Sequence, residues 1–179
     1  MFQFNRPHNL CATLALHSAS SVWRRDPPRV ILALVDECIS LASEHGLPHY
    51  ISFASIIRGW SFVRLGAVGE GIEQIRKATA MWRALGSHVA LPLFLILLAE
   101  SQIASGEPEE ALKTTDEALT WIDNNDERQA ECMVRCCRGD AFCDLGIVGS
   151  ARIEYEAAVC TARKQEGKWW ELHAVIPPP

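Results

Sequence analysis

Residues 139–158 read GDAFCDLGIVGSARIEYEAA, and this stretch decides the fold. It carries small residues at four spaced positions, Gly139, Gly146, Ala151 and Ala158. A small residue also stands at each of these positions 40 and 80 residues earlier in the chain. The earlier copies are Ala99, Gly106, Ala111 and Ala118, and Gly59, Gly66, Gly71 and Ala78. Four small positions in phase over three copies indicate an internal repeat of 40 residues, a period typical of stacked supersecondary units.

Each repeat is predicted to form two helices, because its apolar residues recur at spacings of three and four. Ile31, Leu34, Val35 and Cys38 show this spacing in a fourth, weaker copy that precedes the other three. Glycine stop signals follow the second helices at Gly46, Gly86 and Gly167. The first helices are predicted over 9–24, 49–65, 89–105 and 128–145. The second helices are predicted over 28–45, 69–85, 108–124 and 149–166.

The predicted fold is therefore all-α, an antiparallel helix-pair solenoid that forms a single domain over 1–179. Its four repeats are predicted over 8–46, 47–86, 87–126 and 127–167, and a truncated fifth helix over the stub 168–179. Two antiparallel helices approach closely only where their side chains are small. Gly59 is therefore predicted to face Gly71, and Gly139 to face Ala151. A larger residue there would overpack the pair, at a cost of about 1–3 kcal/mol.

Composition excludes several classes of protein. The chain has 179 residues, of which 49% are hydrophobic, and a formal net charge of −5. Such a chain is neither disordered nor a generic binder of the nucleic-acid backbone. Its most apolar run, residues 89–99, is shorter than the roughly 20 residues that span a bilayer and contains Pro92. The seven cysteines are odd in number and crowded, which favours reduced thiols and a cytoplasmic location.

The small-residue pattern resembles the tetratricopeptide repeat. Gly59 and Gly139 match the glycine of the first helix in that family, and Phe62 and Phe142 match the aromatic position three residues later. The turn glycines and the second-helix alanines match as well, and Tyr155 fits the aromatic position between those alanines. The departures from the family pattern are Ile75 and Thr115 at that aromatic position, the missing first-helix tryptophan, and a period of 40 rather than 34.

A second resemblance covers almost the whole chain. It is carried by the segments RDP at 25–27, SEHGLP at 43–48, RGW at 58–60, LLAE at 97–100, DEAL at 116–119 and WELHA at 170–174. These are similar to the C-terminal helical-repeat region of large bacterial signalling proteins, which join an adenylate cyclase-type or DNA-binding domain to a signalling ATPase. The resemblance implies a regulatory and interaction region. The chain carries no phosphate-binding Gly-x-x-x-x-Gly-Lys-Ser/Thr loop, and is expected to be a fragment or a shortened descendant of such a protein.

In a tetratricopeptide array the first helices line a concave groove, and the resemblance carries this role to specific positions. The groove positions are Ile56, Trp60, Val63, Arg64, Leu93, Ile96, Glu100, Ile103, Met133, Cys136, Asp140, Cys143 and Asp144. Trp60 and Arg64 would anchor a protein or peptide partner. The alternative interpretation is that Ile96 and Ile103 pack against the next helix and that the charged residues are solvated.

The chain offers weak candidates for chemistry. Cys132, Cys136 and Cys143 share one helix face, where they could hold zinc or react as redox thiols, but packing is the favoured interpretation. His45 and His49 flank a turn and are predicted to belong to a helix link. No metal, no cofactor and no catalytic residue is predicted, and the chain is not expected to be an enzyme.

The sequence is compatible with three functions. The first is a non-catalytic protein-interaction module of a signalling system, bound to a partner protein or to other domains of a parent protein. The second is a helical array that senses a small ligand. The third is a remnant that self-associates through apolar surface around Trp169, Trp170 and Val175. Neither nucleic acid nor membrane is an expected partner.

Overall fold

The computed structural model describes residues 6–168, and it is all-α over that range, with eight helices, one 3-10 turn and no strand. The helices are α1 Arg6–Trp23, α2 Pro28–Glu44, α3 Pro48–Arg64, α4 Val68–Ala84, α5 Leu91–Ala104, α6 Pro108–Asn125, α7 Glu131–Asp144 and α8 Val148–Lys164. The predicted all-α repeat of helix pairs is confirmed. Of the predicted fifth helix only Lys168 lies within the described range, and Trp169, Trp170 and Val175 lie outside it.

The chain divides into two compact units, Met1–Val89 and Ala90–Pro179. Each unit contains two helix pairs, α1 to α4 in the first and α5 to α8 in the second. Within each unit consecutive helices pack together, and the two first helices also touch, α1 against α3 and α5 against α7. Contacts between first helices of successive pairs are what a stacked helix-pair repeat requires, because one pair cannot bury its apolar face alone.

The helix boundaries follow local backbone chemistry. Prolines begin α2, α3 and α6, where the missing N–H leaves no hydrogen bond unmade. Gly66, at φ +94°, follows α3, the first helix of the second repeat, and the Ala67 N–H donates to the Phe62 carbonyl at 2.9 Å. The helix predicted to begin at residue 89 begins at Leu91 instead, since Ala90 adopts the left-handed conformation at φ 62°.

The predicted close approach of Gly59 and Gly71 is confirmed. A Cβ atom built on Gly59 would lie 2.6 Å from the Gly71 carbonyl oxygen, a distance that real Cβ contacts do not show. At Gly139 the three nearest atoms to a built Cβ all belong to the Tyr155 ring, at 2.6 to 2.9 Å, and the predicted contact with Ala151 stays a prediction. The ring fills the space because Tyr155 lies one helical turn beyond Ala151 on α8.

Helix α5 is the most buried element. Ten of its 14 residues are buried, among them Phe94, Leu95 and Ile96. Such an all-round apolar helix is typical of a protein core. Within residues 6–168 no helix combines the length and the apolar character that a membrane crossing requires.

Candidate functional site

The first unit contains a surface cavity of about 580 Å³ between its two first helices. Helix α1 contributes His8 and Leu16 to the wall, and α3 contributes Tyr50 and Phe53. The link between α2 and α3 closes one end, and Trp82 reaches the cavity from the last turns of α4. We call this cavity the aromatic pocket. Its volume lies within the range of roughly 300–1,000 Å³ typical of small-molecule sites.

The aromatic pocket is shaped by rings that meet edge to face. The His49 ring lies 5.8 Å from Trp82 at an interplanar angle of 83°, and the Phe53 ring lies 6.0 Å from Trp82 at 62°. The Trp82 Nε1–H donates to the Val89 carbonyl at 3.1 Å. Because this bond engages its only polar atom, the indole offers the pocket a carbon surface. Edge-to-face pairs of this kind contribute about 0.5–1.5 kcal/mol beyond burial, which orders the wall.

The wall of the pocket contains one pair of polar side chains within hydrogen-bond distance of each other. The Tyr50 hydroxyl lies 3.2 Å from His8 Nε2, and the two rings meet edge to face with centroids 5.2 Å apart. Burial raises the pKa of Tyr50, and the neighbouring thiols of Cys11 and Cys38 raise it further. The hydroxyl therefore keeps its proton at neutral pH and can donate a hydrogen bond. No carboxylate, ammonium or guanidinium group belongs to the described wall of the pocket.

Two buried cysteines lie in the core of the first unit. The Cys38 thiol donates to the Cys11 carbonyl oxygen at 3.6 Å, and neither side chain is exposed to solvent. Burial, and next the neighbouring Cys11, raises the pKa of Cys38 to about 12. The pKa of Cys11 is also raised by burial. Both residues are neutral thiols at physiological pH, and a neutral thiol is a poor nucleophile.

The predicted groove residues of the first unit are mostly buried. Ile56, Trp60 and Val63 are 0%, 2% and 6% exposed, so they offer little surface to a partner. Arg64 is exposed, and its guanidinium lies 5.8 Å from the centroid of the Trp60 ring. The predicted anchor pair is thus brought together, but only Arg64 reaches solvent. Whether these positions bind a partner stays a prediction.

The predicted groove residues of the second unit lie on α5 and α7, which pack against each other. Ile96 is buried, and Leu93, Glu100 and Ile103 are partly exposed on α5. On α7, exposure increases towards the C-terminal end. Met133, Cys136 and Asp140 are partly exposed, and Cys143 and Asp144 are exposed. We call these positions on the two packed helices, apart from the buried Ile96, the α5–α7 face; they include acidic residues on both helices.

The cysteines of α7 differ in their surroundings. Cys132 is buried. Its hydrogen bond with Cys136 lowers the pKa of Cys132. The same hydrogen bond, together with burial, raises the pKa of Cys136. Cys143 is exposed, and its sulfur lies 3.7 Å from the Tyr155 hydroxyl. That hydroxyl donates to Asp140 Oδ1 at 2.6 Å. No group of three or more His, Cys, Asp or Glu side chains within the described range is placed to hold a metal ion.

Two arginines of α7 form ion pairs with neighbouring helices. Arg138 Nε lies 3.0 Å from Glu154 Oε1 on α8, and its Nη1 contacts Asp116 on α6. Arg135 pairs with Glu131 at 2.9 Å and with Glu154 at 3.3 Å. Glu154 is thus shared by both guanidinium groups. The pairs of Arg138 link α7 to α6 and α8, and the pair of Arg135 with Glu154 links α7 to α8, so the two arginines have a structural explanation.

The comparisons with known proteins assign no family. No protein-family model matches the chain, and none of the curated proteins searched matches it. The function is therefore argued from the chemistry of the described surfaces, since a fold alone does not determine function.

Proposed function

We propose that this chain is a non-catalytic binding and regulatory module of a bacterial signalling system, built as a tetratricopeptide-like array. One observation carries the proposal: in each unit the two first helices carry a partly exposed surface. The aromatic pocket lies between α1 and α3, and the α5–α7 face lies on the corresponding helices of the second unit. The resemblance to cyclase- and transcription-regulator-associated repeat regions supports the regulatory role.

The chemistry of the α5–α7 face indicates the kind of protein partner. The face carries three carboxylates, those of Glu100, Asp140 and Asp144, and the partly exposed apolar side chains of Ile103 and Met133. A surface of this composition complements a peptide segment that combines apolar anchors with basic residues. The carboxylates would raise the association rate at low salt, and the apolar side chains would supply most of the affinity.

The test of this function is site-specific crosslinking in cells of the source organism. A photoreactive amino acid at Ile103 is expected to capture a defined partner, and the same amino acid at Thr120, exposed on α6, is not. The double substitution Asp140→Lys with Asp144→Lys should abolish capture. The matched control, Glu109→Lys with Glu117→Lys, reverses two exposed charges on α6 and should leave capture intact. Equal capture by both double variants would contradict the assignment of this face.

A second function, the sensing of a small ligand, is supported by a separate observation. The aromatic pocket lies within the first unit and shares none of the residues of the α5–α7 face. Its volume and its ordered aromatic wall are those of a small-molecule site rather than of an extended peptide groove. A regulatory array that binds a ligand in one unit and a partner in the other would couple the two if ligand binding changes the packing of the helices.

A further inference from the structure

We propose that the aromatic pocket binds a small, uncharged aromatic molecule that carries a hydroxyl group. The inference rests on the small-ligand function given above and names the class of ligand. It is carried by the rings of the wall, by the absence of charged groups from the described wall, and by the Tyr50–His8 pair.

The rings of the wall favour an aromatic ligand. Phe53 and Trp82 already meet at 62°, and His49 meets Trp82 at 83°, so ring edges and ring faces both border the cavity. A planar ligand can extend this edge-to-face arrangement, with each new pair of rings contributing beyond simple burial. A saturated ring of the same size would fill the volume without these contacts. The wall therefore discriminates between an aromatic group and an aliphatic one.

The composition of the wall disfavours an ionised ligand. Among the described wall residues, the side-chain polar groups are the Tyr50 hydroxyl, the imidazoles of His8 and His49, and the Trp82 N–H, which is bonded to Val89. An ammonium group transferred from water to this pocket would lose hydration and find no carboxylate in the described wall, and an ionised carboxylate would find no ammonium or guanidinium group there. An uncharged ligand loses much less. The pocket therefore selects against ions even though it lies open to the surface.

The Tyr50–His8 pair favours a hydroxyl on the ligand. When the Tyr50 hydroxyl donates to His8 Nε2, its oxygen remains available as an acceptor. When His8 carries its proton on Nε2 and donates it to the Tyr50 oxygen, the tyrosine O–H is free to donate to the ligand. A ligand hydroxyl both donates and accepts, so it can bond in either arrangement. A ligand with only one of these capacities fits only one of them.

The experiment uses the full chain, labelled with ¹⁵N, and four small-molecule probes. The first probe, indole-3-ethanol, has all the proposed features. Indole-3-acetate replaces the hydroxyl group with a negatively charged carboxylate, and tryptamine replaces it with a positively charged ammonium group. The fourth probe, 2-cyclohexylethanol, keeps the hydroxyl group and replaces the indole with a smaller saturated ring. Binding is followed by two-dimensional NMR, in which the Trp82 Nε1–H and Gly46 amide signals report on the pocket. We expect indole-3-ethanol to bind with a Kd on the order of 1 mM. Each of the other three should bind at least about fivefold more weakly.

Two substitutions in the wall test the location of the site. Tyr50→Phe removes the hydroxyl and Phe53→Leu removes a ring, and each should weaken binding of indole-3-ethanol by about three- to tenfold. Each has a matched control elsewhere in the chain. Tyr155→Phe removes the other tyrosine hydroxyl, and Phe62→Leu makes the same change on α3 outside the pocket. Both controls should leave the Kd unchanged. All four variants are first compared by their NMR spectra, so that loss of folding is recognised.

The outcomes separate the inference from the function on which it rests. If a charged probe or 2-cyclohexylethanol binds this site more tightly than indole-3-ethanol, the ligand class is wrong and a small-ligand function still stands. If none of the four binds at concentrations up to about 10 mM, the inference and the small-ligand function both fail. If indole-3-ethanol binds equally to Phe53→Leu and to wild type, the aromatic pocket is not its site.

Discussion

Gly59 on α3 and Gly71 on α4 pack backbone against backbone. A Cβ atom on either residue would meet the carbonyl oxygen of the other, at 2.6 Å in the case of Gly59. Neither carbonyl belongs to a flexible side chain, so the contact can be relieved only if the two helices move apart. The pair therefore sets the distance between the helices of the second repeat.

Gly71→Ala is expected to destabilise the first unit by about 1–3 kcal/mol, because the added methyl group forces α3 and α4 apart. The matched control is Gly69→Ala on the same helix, where an added Cβ would meet no atom within 4 Å. Since alanine is the better helix former, the control should stabilise by up to about 1 kcal/mol. Urea unfolding followed by circular dichroism measures both. Equal effects of the two substitutions would contradict the close approach.

At Gly139 the expected clash is with the Tyr155 ring. Gly139→Ala alone should destabilise the second unit by about 1–3 kcal/mol. In a Tyr155→Ala background most of that loss should disappear, because the ring that blocks the methyl group is gone. A double-mutant cycle measures this coupling. The same cycle with Ala151→Gly serves as the control. If the effect of Gly139→Ala depends on Ala151 and not on Tyr155, then Ala151 is the residue that Gly139 contacts, as the spacing of the small residues predicts.

The repeat and its helix pairs could be predicted from the sequence, because small residues that recur at the same repeat position mark where two helices touch. Gly59 and Gly71 are an example, since no side chain intervenes between them. The partner of Gly139 could not be predicted in this way. Whether the Tyr155 ring or Ala151 fills the space depends on the rotamer of a long side chain, about which small-residue spacing carries no information.

The aromatic pocket could not be predicted from the sequence, for a different reason. His49, Tyr50 and Phe53 lie on the first turns of α3, and their spacing indicates only that they share a region of that helix. Their neighbours in the pocket, His8 and Trp82, come from α1 and from the far end of α4. Contacts between elements so distant in the chain follow from how the helices cross, and periodicity within one helix does not specify that crossing.

Trp60 occupies a predicted groove position, and its side chain is only 2% exposed. We expect Trp60→Ala to destabilise the protein by about 3–5 kcal/mol, as a large buried aromatic residue does. Arg64→Ala, at an exposed neighbouring position, should change stability by less than about 1 kcal/mol. Thermal unfolding measures both.

This difference decides how a binding experiment at Trp60 is interpreted. If Trp60→Ala loses a partner together with its folded structure, the loss reports on stability and not on a binding contact. The informative variant is Arg64→Ala, because it keeps the fold. A Trp60→Ala variant as stable as wild type would contradict the burial of this side chain.

Because the Cys38 thiol is buried, we expect the protein to lose stability at alkaline pH. Its pKa is raised to about 12 in the folded protein, against an ordinary value of 9.0. The unfolded chain therefore releases this proton first as pH rises. The stabilising contribution is complete below about pH 9 and is lost progressively between pH 9 and pH 12, by at most about 1.4 kcal/mol per pH unit.

Replacing the thiol removes this contribution. Cys38→Ala should lower stability at pH 7, because a buried side chain is shortened, but its stability should decline less steeply than that of wild type between pH 9 and pH 11. Cys160→Ala, which removes an exposed thiol, should retain the wild-type slope. Urea unfolding at several pH values gives the slopes. Parallel curves for wild type and Cys38→Ala would show that Cys38 releases its proton at the same pH in the folded and unfolded protein.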